Sequence, residues 1–223
     1  MNHYYHTIFG WFDYEEIYHH AISVLPTDSK IVELGCWKGK SSSFLLVEAK
    51  NSNKFFQIHL CDTFEGSEEH YDSDSVHYAE DIDKVFGEFK NNVSKADYPY
   101  VVHKMDSVEL SNNFEDNSID FLFIDTDHTY DHVSKELKAW YRKVKKGGII
   151  AGHDYNSSGG GVVEAVDEFF FEEIALVQGS ITTSWFVVKE FDYAANCILN
   201  QPKHEVKYAK VGLDDEFAIA LLN

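Results

Sequence analysis

Lys30-Ile31-Val32-Glu33-Leu34-Gly35-Cys36-Trp37-Lys38-Gly39-Lys40-Ser41 is the stretch from which the fold can be read. Its first half is a short apolar run that stops at a glycine, as a buried strand does, and Ser41–Ala49 continues as a capped helix. Strand, glycine turn and helix in that order open a parallel α/β sheet. Glycines let a backbone approach a ligand closely, and the start of the helix offers free N–H groups to an anionic group such as a carboxylate.

The same alternation continues outward. Strands are predicted at 55–61, 100–105, 119–125 and 148–152, with helices over 13–25, 129–145 and 162–171. Asp13 followed by Glu16 has the spacing of a capping box, and Val133, Leu137, Trp140 and Val144 keep to one helical face. The expected architecture is a central, mostly parallel sheet with helices on both faces. Residues 182–189, with weaker strand candidates at 205–211 and 216–222, supply an antiparallel edge hairpin. Three parts follow: an N-terminal helical segment (1–29), a ligand-binding α/β domain (30–190) and a C-terminal extension packed on it (191–223).

Composition narrows the function. The 223 residues carry 38 Asp and Glu against 19 Lys and Arg, a net charge of −19, which repels phosphate backbones and anionic lipid. Nucleic acid and membranes are therefore not the expected partners; a small molecule is. With 44% hydrophobic and 15% aromatic residues the chain is a packed globule. Met1–His6 has neither the basic nor the apolar part of a signal peptide, so the expected compartment is the cytoplasm. Cys36, Cys61 and Cys197 are too scattered for a disulfide framework and read as small buried hydrophobes. Eight acidic residues between Glu65 and Asp83, with no Lys or Arg among them, form either a solvated loop and helix face or a lid over the ligand. The aromatic N-terminus (Tyr4, Tyr5, Phe9, Trp11, Phe12) and the C-terminal tail are the natural places for a homodimer contact.

Spacing discriminates among ligands. Gly35 and Gly39 are four apart with Trp37 between them, which is not G-x-G-x-x-G, and Gly35 is one residue too close to Gly39-Lys40-Ser41 for a P-loop. Glu33 could pair with a cationic amine. Asp62, at the end of the second strand, can accept both hydroxyls of a ribose. Together they suit an adenosine carrying a charged tail.

Glu33-x-Gly35-x-x-x-Gly39, then Asp62, Met105-Asp106-Ser107, Phe121-Leu122-Phe123-Ile124-Asp125-Thr126-Asp127-His128-Thr129-Tyr130 and Lys146-Gly147-Gly148-Ile149-Ile150-Ala151-Gly152-His153-Asp154-Tyr155 resemble the class I S-adenosylmethionine-dependent methyltransferases. The chain is similar in particular to the group of sugar O-methyltransferases and cephalosporin-hydroxylase-like proteins, over residues 11–189. The resemblance implies a Rossmann-like α/β fold with a central, mostly parallel seven-stranded sheet, and S-adenosylmethionine as cofactor. Glu33, Gly35 and Gly39 would hold its methionine end, with the amides of Ser41 or Ser42 near the carboxylate and Trp37 packed over the cofactor; Asp62 would hold the ribose, Asp106 and Ser107 would flank the adenine, and Thr63 and Asp125 would complete the cofactor site. In related metal-dependent enzymes an acid at the position of Asp125 and a pair matching His153-Asp154 hold a divalent ion, Mg²⁺, Mn²⁺ or Fe²⁺. The residue matching His128 is there a general base, and an ordinary histidine pKa suits that task. His153 stands where a carboxylate is usual, which leaves open a softer ion, a catalytic rather than ligating histidine, or no metal.

The implied reaction moves a methyl group to a hydroxyl of a small molecule such as a sugar or glycan precursor. Two alternatives are a cofactor-binding scaffold or partner subunit without turnover, and a P-loop-like nucleotide enzyme. The plainer reading of the same residues makes Asp125 a strand-end cap, Asp127–Thr129 an N-cap cluster and His153–Tyr155 an ordinary turn.

Overall fold

The computed structural model describes residues 1–71, 73, 81–156, 160–170, 175–177 and 184–189. In chain order the elements are α1 (Glu15–Val24), β1 (Ser29–Leu34), α2 (Lys40–Asn51), β2 (Phe56–Asp62), α3 (Glu68–Tyr71), α4 (Ile82–Val93), β3 (Val101–Lys104), α5 (Ser107–Leu110), β4 (Ile119–Ile124), α6 (Tyr130–Trp140), β5 (Val144–Gly152), α7 (Val162–Phe170), β6 (Ala175–Val177) and β7 (Ser184–Val188). They form one seven-stranded sheet in the order β3-β2-β1-β4-β5-β7-β6. The first five strands are parallel, and β7 runs antiparallel to both β5 and β6.

Strand alternation sends side chains into two cores. Ile31, Ile58, Phe121 and Phe123 pack with α1, α2 and α4 on one face; Val32, Leu34, Leu122 and Ile124 pack with α6 and α7 on the other. Both faces are covered, which is why the strands read as nearly continuous apolar runs. Cys36 and Cys61 are free thiols buried in these cores.

Register fixes what stands at the carboxyl edge. Leu34 pairs with Cys61 on one side and Ile124 on the other, and Ile124 pairs with Gly152. Asp62, Gly35, Asp125 and His153 therefore lie in one row across four adjacent strand ends. The sheet order reverses between β1 and β4, the place where open α/β sheets bind ligands.

Four expectations change. The helix read over 129–145 ends at Trp140, because Val144 is captured by β4 through its pairing with Ile119. The partner strand of the edge hairpin is Ala175–Val177, since β7 has β5 on its other side. Helix α4 has no counterpart among the expected elements, although Val85, Phe89 and Val93 are buried at helical spacing. Asp13 caps nothing: α1 starts without a side-chain cap. The strand candidates at 205–211 and 216–222, the extension 191–223, the loop 157–159 and most of the acidic stretch at 72–80 lie outside the described residues. Among the described residues no helix is long and apolar enough to cross a membrane.

Candidate active site

The row of strand ends floors a cleft of about 690 Å³. Its β1 side is the glycine turn. Gly35 has φ +87°, and a Cβ there would lie 1.6 Å from the Asp125 carbonyl oxygen, so close approach of two strand ends demands glycine. Gly39, also left-handed, starts α2, whose first turn has no side-chain cap and meets the cleft at Lys40 and Ser41.

Asp62 pins this turn. Its Oδ2 accepts the backbone N–H groups of Cys36 (2.8 Å) and Trp37 (2.7 Å), and its Oδ1 accepts that of Phe64 (2.6 Å). Most of the acceptor capacity expected for a ribose is thus spent on the protein, and Oδ1 keeps room for a single further donor. Thr63 lines the cleft beside it. Trp37, at φ +45°, puts its indole 3.7 Å, centroid to centroid, from the His70 ring at the rim.

Glu33 departs from expectation. Strand alternation turns it away from the cleft and under α1 and α2, where it is wholly buried. Ser41 and Ser42 donate to it at 2.6 Å each, and Tyr18 at 2.9 Å. Burial pushes its carboxyl up to about 7, with the three hydroxyl donors pulling the other way. Glu33 and the Ser42 hydroxyl belong to a structural network and do not face a ligand. At the far wall Asp106 caps α5 by accepting the Glu109 N–H. Ser107 donates to Glu136, a buried carboxylate that also takes the Thr126 hydroxyl at 2.7 Å and lies 3.4 Å from His132.

Across the cleft from the glycine turn stands a charged cluster. Tyr14 donates to Asp125 Oδ2 (2.8 Å); its phenol, buried beside Asp125 and Glu33, is held well above its ordinary pKa and stays a donor. His128 Nε2 lies 3.0 Å from Asp154 Oδ2 and 3.9 Å from Asp125 Oδ1. His153 uses both nitrogens, Nδ1 toward Asp154 (3.1 Å) and Nε2 toward Asp13 (2.8 Å). Asp154 holds this place in a left-handed conformation, φ +57°.

Burial would lower both histidines, but hydrogen bonds and charge from the carboxylates raise His128 to about 11 and His153 to about 10. Asp154 is held well below the usual carboxylate range by the two imidazoliums, against its own burial. His128 is thus not the base of ordinary pKa that its spacing suggests. Three carboxylates face two imidazoliums, so the cluster is net anionic and suited to a cationic ligand.

The donor set for a metal also differs from the expected one. Asp125, His128 and Asp154 each offer one atom, all within 4.8 Å of one another. His153 stays outside that set because Asp13 and Asp154 occupy both of its nitrogens. Two carboxylates and one imidazole fit a divalent ion that accepts nitrogen, Mn²⁺ or Fe²⁺ in preference to Mg²⁺. Asp13 and Tyr14 are the site residues that motif reading missed: a polar residue before an amphipathic helix looks like a cap, and Tyr14 looks like part of the apolar face. Of the plainer readings, the N-cap cluster holds beside these roles: Thr129 is the N-cap of α6 and Asp127 accepts the Thr129 N–H at 2.7 Å.

A family model described as a methyltransferase domain matches residues 32–155. The uncharacterized protein R132 of Acanthamoeba polyphaga mimivirus is 29% identical over 129 residues, 57% of this chain and 52% of that protein. The chain thus spans about half the length of this curated relative. Among solved structures, the O-methyltransferase NovP superposes with a TM-score of 0.54 at 18% identity, over 79% of each chain. CalS11, a TDP-rhamnose 3'-O-methyltransferase, does so with a TM-score of 0.52 at 17% identity, over 78% of this chain and 76% of that one. At such identities the likeness is one of fold.

Proposed function

This chain belongs to the methyltransferase-domain family, and from that premise we propose that it is an S-adenosylmethionine-dependent methyltransferase acting on a hydroxyl of a small molecule such as a sugar or glycan precursor. The observation that carries the reading is the row of strand ends. One cleft joins a glycine turn with an uncapped helix start to an anionic cluster two strands away. A zwitterionic, sulfonium-bearing adenosine suits such a cleft: the first turn of α2 would take its carboxylate, Asp62 Oδ1 and Thr63 one side of its ribose, and Asp106 and Ser107 the adenine. Asp125 stands between those parts and the cluster, where a cationic sulfur is favoured electrostatically.

The acceptor hydroxyl would sit among Asp125, His128 and Asp154. The protonated His128 donates to its oxygen and aims a lone pair at the methyl carbon. S-adenosylmethionine, when bound, would supply an electrophilic methyl group and leave as neutral S-adenosylhomocysteine, and Asp125 Oδ1, whose nearest imidazole nitrogens lie 3.9 Å away, would take the hydroxyl proton. Alignment supplies much of the rate. Alternatively, with a divalent cation in place of the His128 proton, Asp125, His128 and Asp154 would hold the ion and it would supply Lewis acidity that lowers the pKa of a bound hydroxyl.

Calorimetric titration with S-adenosylhomocysteine tests the first half; no binding at millimolar concentration sinks it. Methyl release to a hydroxylated acceptor tests the second. His128→Ala should cost about 10²- to 10⁴-fold in kcat/KM while leaving product binding intact. The protonated state of His128 gives one point to a cofactor-binding subunit without turnover. That reading gains if His128→Ala and Asp154→Ala change no turnover while Asp62→Ala abolishes ligand binding.

A further inference from the structure

Two large apolar rings stand open at the mouth of the cleft. Trp11 is 62% and Phe9 55% exposed, and both line the cavity that holds Asp125, His128 and Asp154. The rest of the N-terminal aromatic run is packed: Phe12 and Tyr14 are buried, and Tyr4 and Tyr5 lean on the core. Phe9, Gly10 and Trp11 also wall an adjoining recess of about 480 Å³, so the open space continues beyond the cluster along these rings.

The platform is anchored. The Lys40 ammonium donates to the Gly10 carbonyl at 2.6 Å, and the Lys38 ammonium lies 5.4 Å from the Phe9 centroid. Two residues after Trp11, Asp13 holds His153 at 2.8 Å. At most about 7 Å of backbone separates the two positions. Trp11, Asp125 and Asp154 line the same cavity.

Charge decides the rest. Among the described residues the cleft lining carries seven carboxylates and two lysines and no arginine. Lys38 is paired with Glu88 at 2.9 Å, and Lys40 is committed to Gly10. The imidazoliums of His128 and His153 are already matched by carboxylates. Lys40 spends one of its three N–H donors on the neutral Gly10 carbonyl and keeps its charge, so a diphosphate entering this lining meets seven carboxylates against two ammonium groups, one of them already paired.

We propose, on the basis of the methyltransferase reading, that the acceptor is an uncharged, polyhydroxylated ring compound whose C–H face stacks on Trp11 and Phe9. Nucleotide-activated forms carrying a diphosphate are disfavoured by the excess of carboxylates over ammonium groups among the described lining residues. The partially positive C–H edges of a pyranose meet the negative faces of the rings, while the hydroxyls of the same ring point to the carboxylates.

The test uses the full chain and matched pairs of probes: p-nitrophenyl glycopyranosides and the nucleoside-diphosphate sugars bearing the same sugar. Each is titrated with and without S-adenosylhomocysteine, which is itself titrated separately. The neutral glycosides should bind about tenfold or more tightly than their diphosphate partners. Trp11→Ala should weaken glycoside binding about tenfold, and Trp11→Phe should restore most of it, as for one stacked ring. The affinity for S-adenosylhomocysteine should not change in either variant. The proposal falls if a diphosphate sugar binds as tightly as its neutral partner, if no glycoside binds, or if Trp11→Ala binds like the parent. Failure of S-adenosylhomocysteine alone overturns the methyltransferase reading and leaves the stacking platform standing.

Discussion

Replacing Glu33 by Gln should make the protein more stable at neutral and alkaline pH, and the gain should vanish in mild acid. Glu33 is a fully buried carboxylate whose pKa rises from 4.5 to about 7 on folding. The folded chain therefore holds a proton there that the unfolded chain has released, and stability falls as pH rises between those values. At about 1.4 kcal/mol per pH unit the cost reaches about 3 kcal/mol above pH 7. A glutamine side chain has the same shape and no charge. Its oxygen can accept from one serine, and the freely rotating hydroxyls of Ser41, Ser42 and Tyr18 can turn to accept from its NH₂.

The assay is urea unfolding of parent and variant at half-unit steps from about pH 5 to about pH 8.5, the window that brackets the raised value. Other groups titrate in this window, so the informative quantity is the difference between the two proteins at each pH. That difference should be small near pH 5 and grow in favour of Glu33→Gln by about 3 kcal/mol at pH 8, or about 6–12 °C in Tm for a chain of this size. A pH-independent difference, or one that favours Glu33 at pH 8, refutes the reasoning. It would mean that the three hydroxyls stabilise the ionised form as well as water does.

Other variants probe the site directly. Gly35→Ala combines a left-handed backbone with a Cβ driven 1.6 Å from the Asp125 carbonyl, so it should cost more than about 4 kcal/mol or leave no soluble protein; a Tm within a few degrees of the parent argues against the close strand approach. Tyr14→Phe removes the 2.8 Å bond to Asp125 and should cost about 1–2 kcal/mol in urea unfolding, with a larger loss in methyl transfer than in S-adenosylhomocysteine binding. Mn²⁺ should displace the proton of His128, so calorimetry in buffers of different ionisation enthalpy should show proton release that His128→Ala abolishes; no heat at millimolar Mn²⁺ removes the metal set. Asp154 is depressed on folding and His128 raised, so their mutual stabilisation is lost as pH falls through the low Asp154 value and as it rises toward about 11. Asp154→Asn should therefore cost most near pH 6, below the ordinary histidine value, and progressively less toward pH 9, as measured by thermal unfolding across about pH 6 to about pH 9.

What could be read in the sequence follows from what local spacing determines. A strand that ends at a glycine or an acidic residue fixes where its carboxyl end falls, and the ends of β2, β1, β4 and β5 give the row Asp62, Gly35, Asp125, His153. Side-chain direction was also legible for Glu33: Val32 and Leu34 face one core, so Glu33 must share the other face with Ile31, beneath the Ser41 and Ser42 hydroxyls. Resemblance to a ligand-binding motif pointed the other way. The pKa of His128 was not legible, because it depends on Asp154, 26 residues further on and held in a left-handed turn. Nor was Asp13, since the same residues before α1 spell a helix cap. Its true partner, His153, is 140 positions away, and only the register of β4 against β5 brings that ring to the start of the first helix. Asp13 also stands two residues from Trp11, and both line the cleft. The residue that sequence spacing assigns to a cap thus ties the charged cluster to the rings at the mouth of the cleft, and a change at Asp13 should disturb both ends of the acceptor site together.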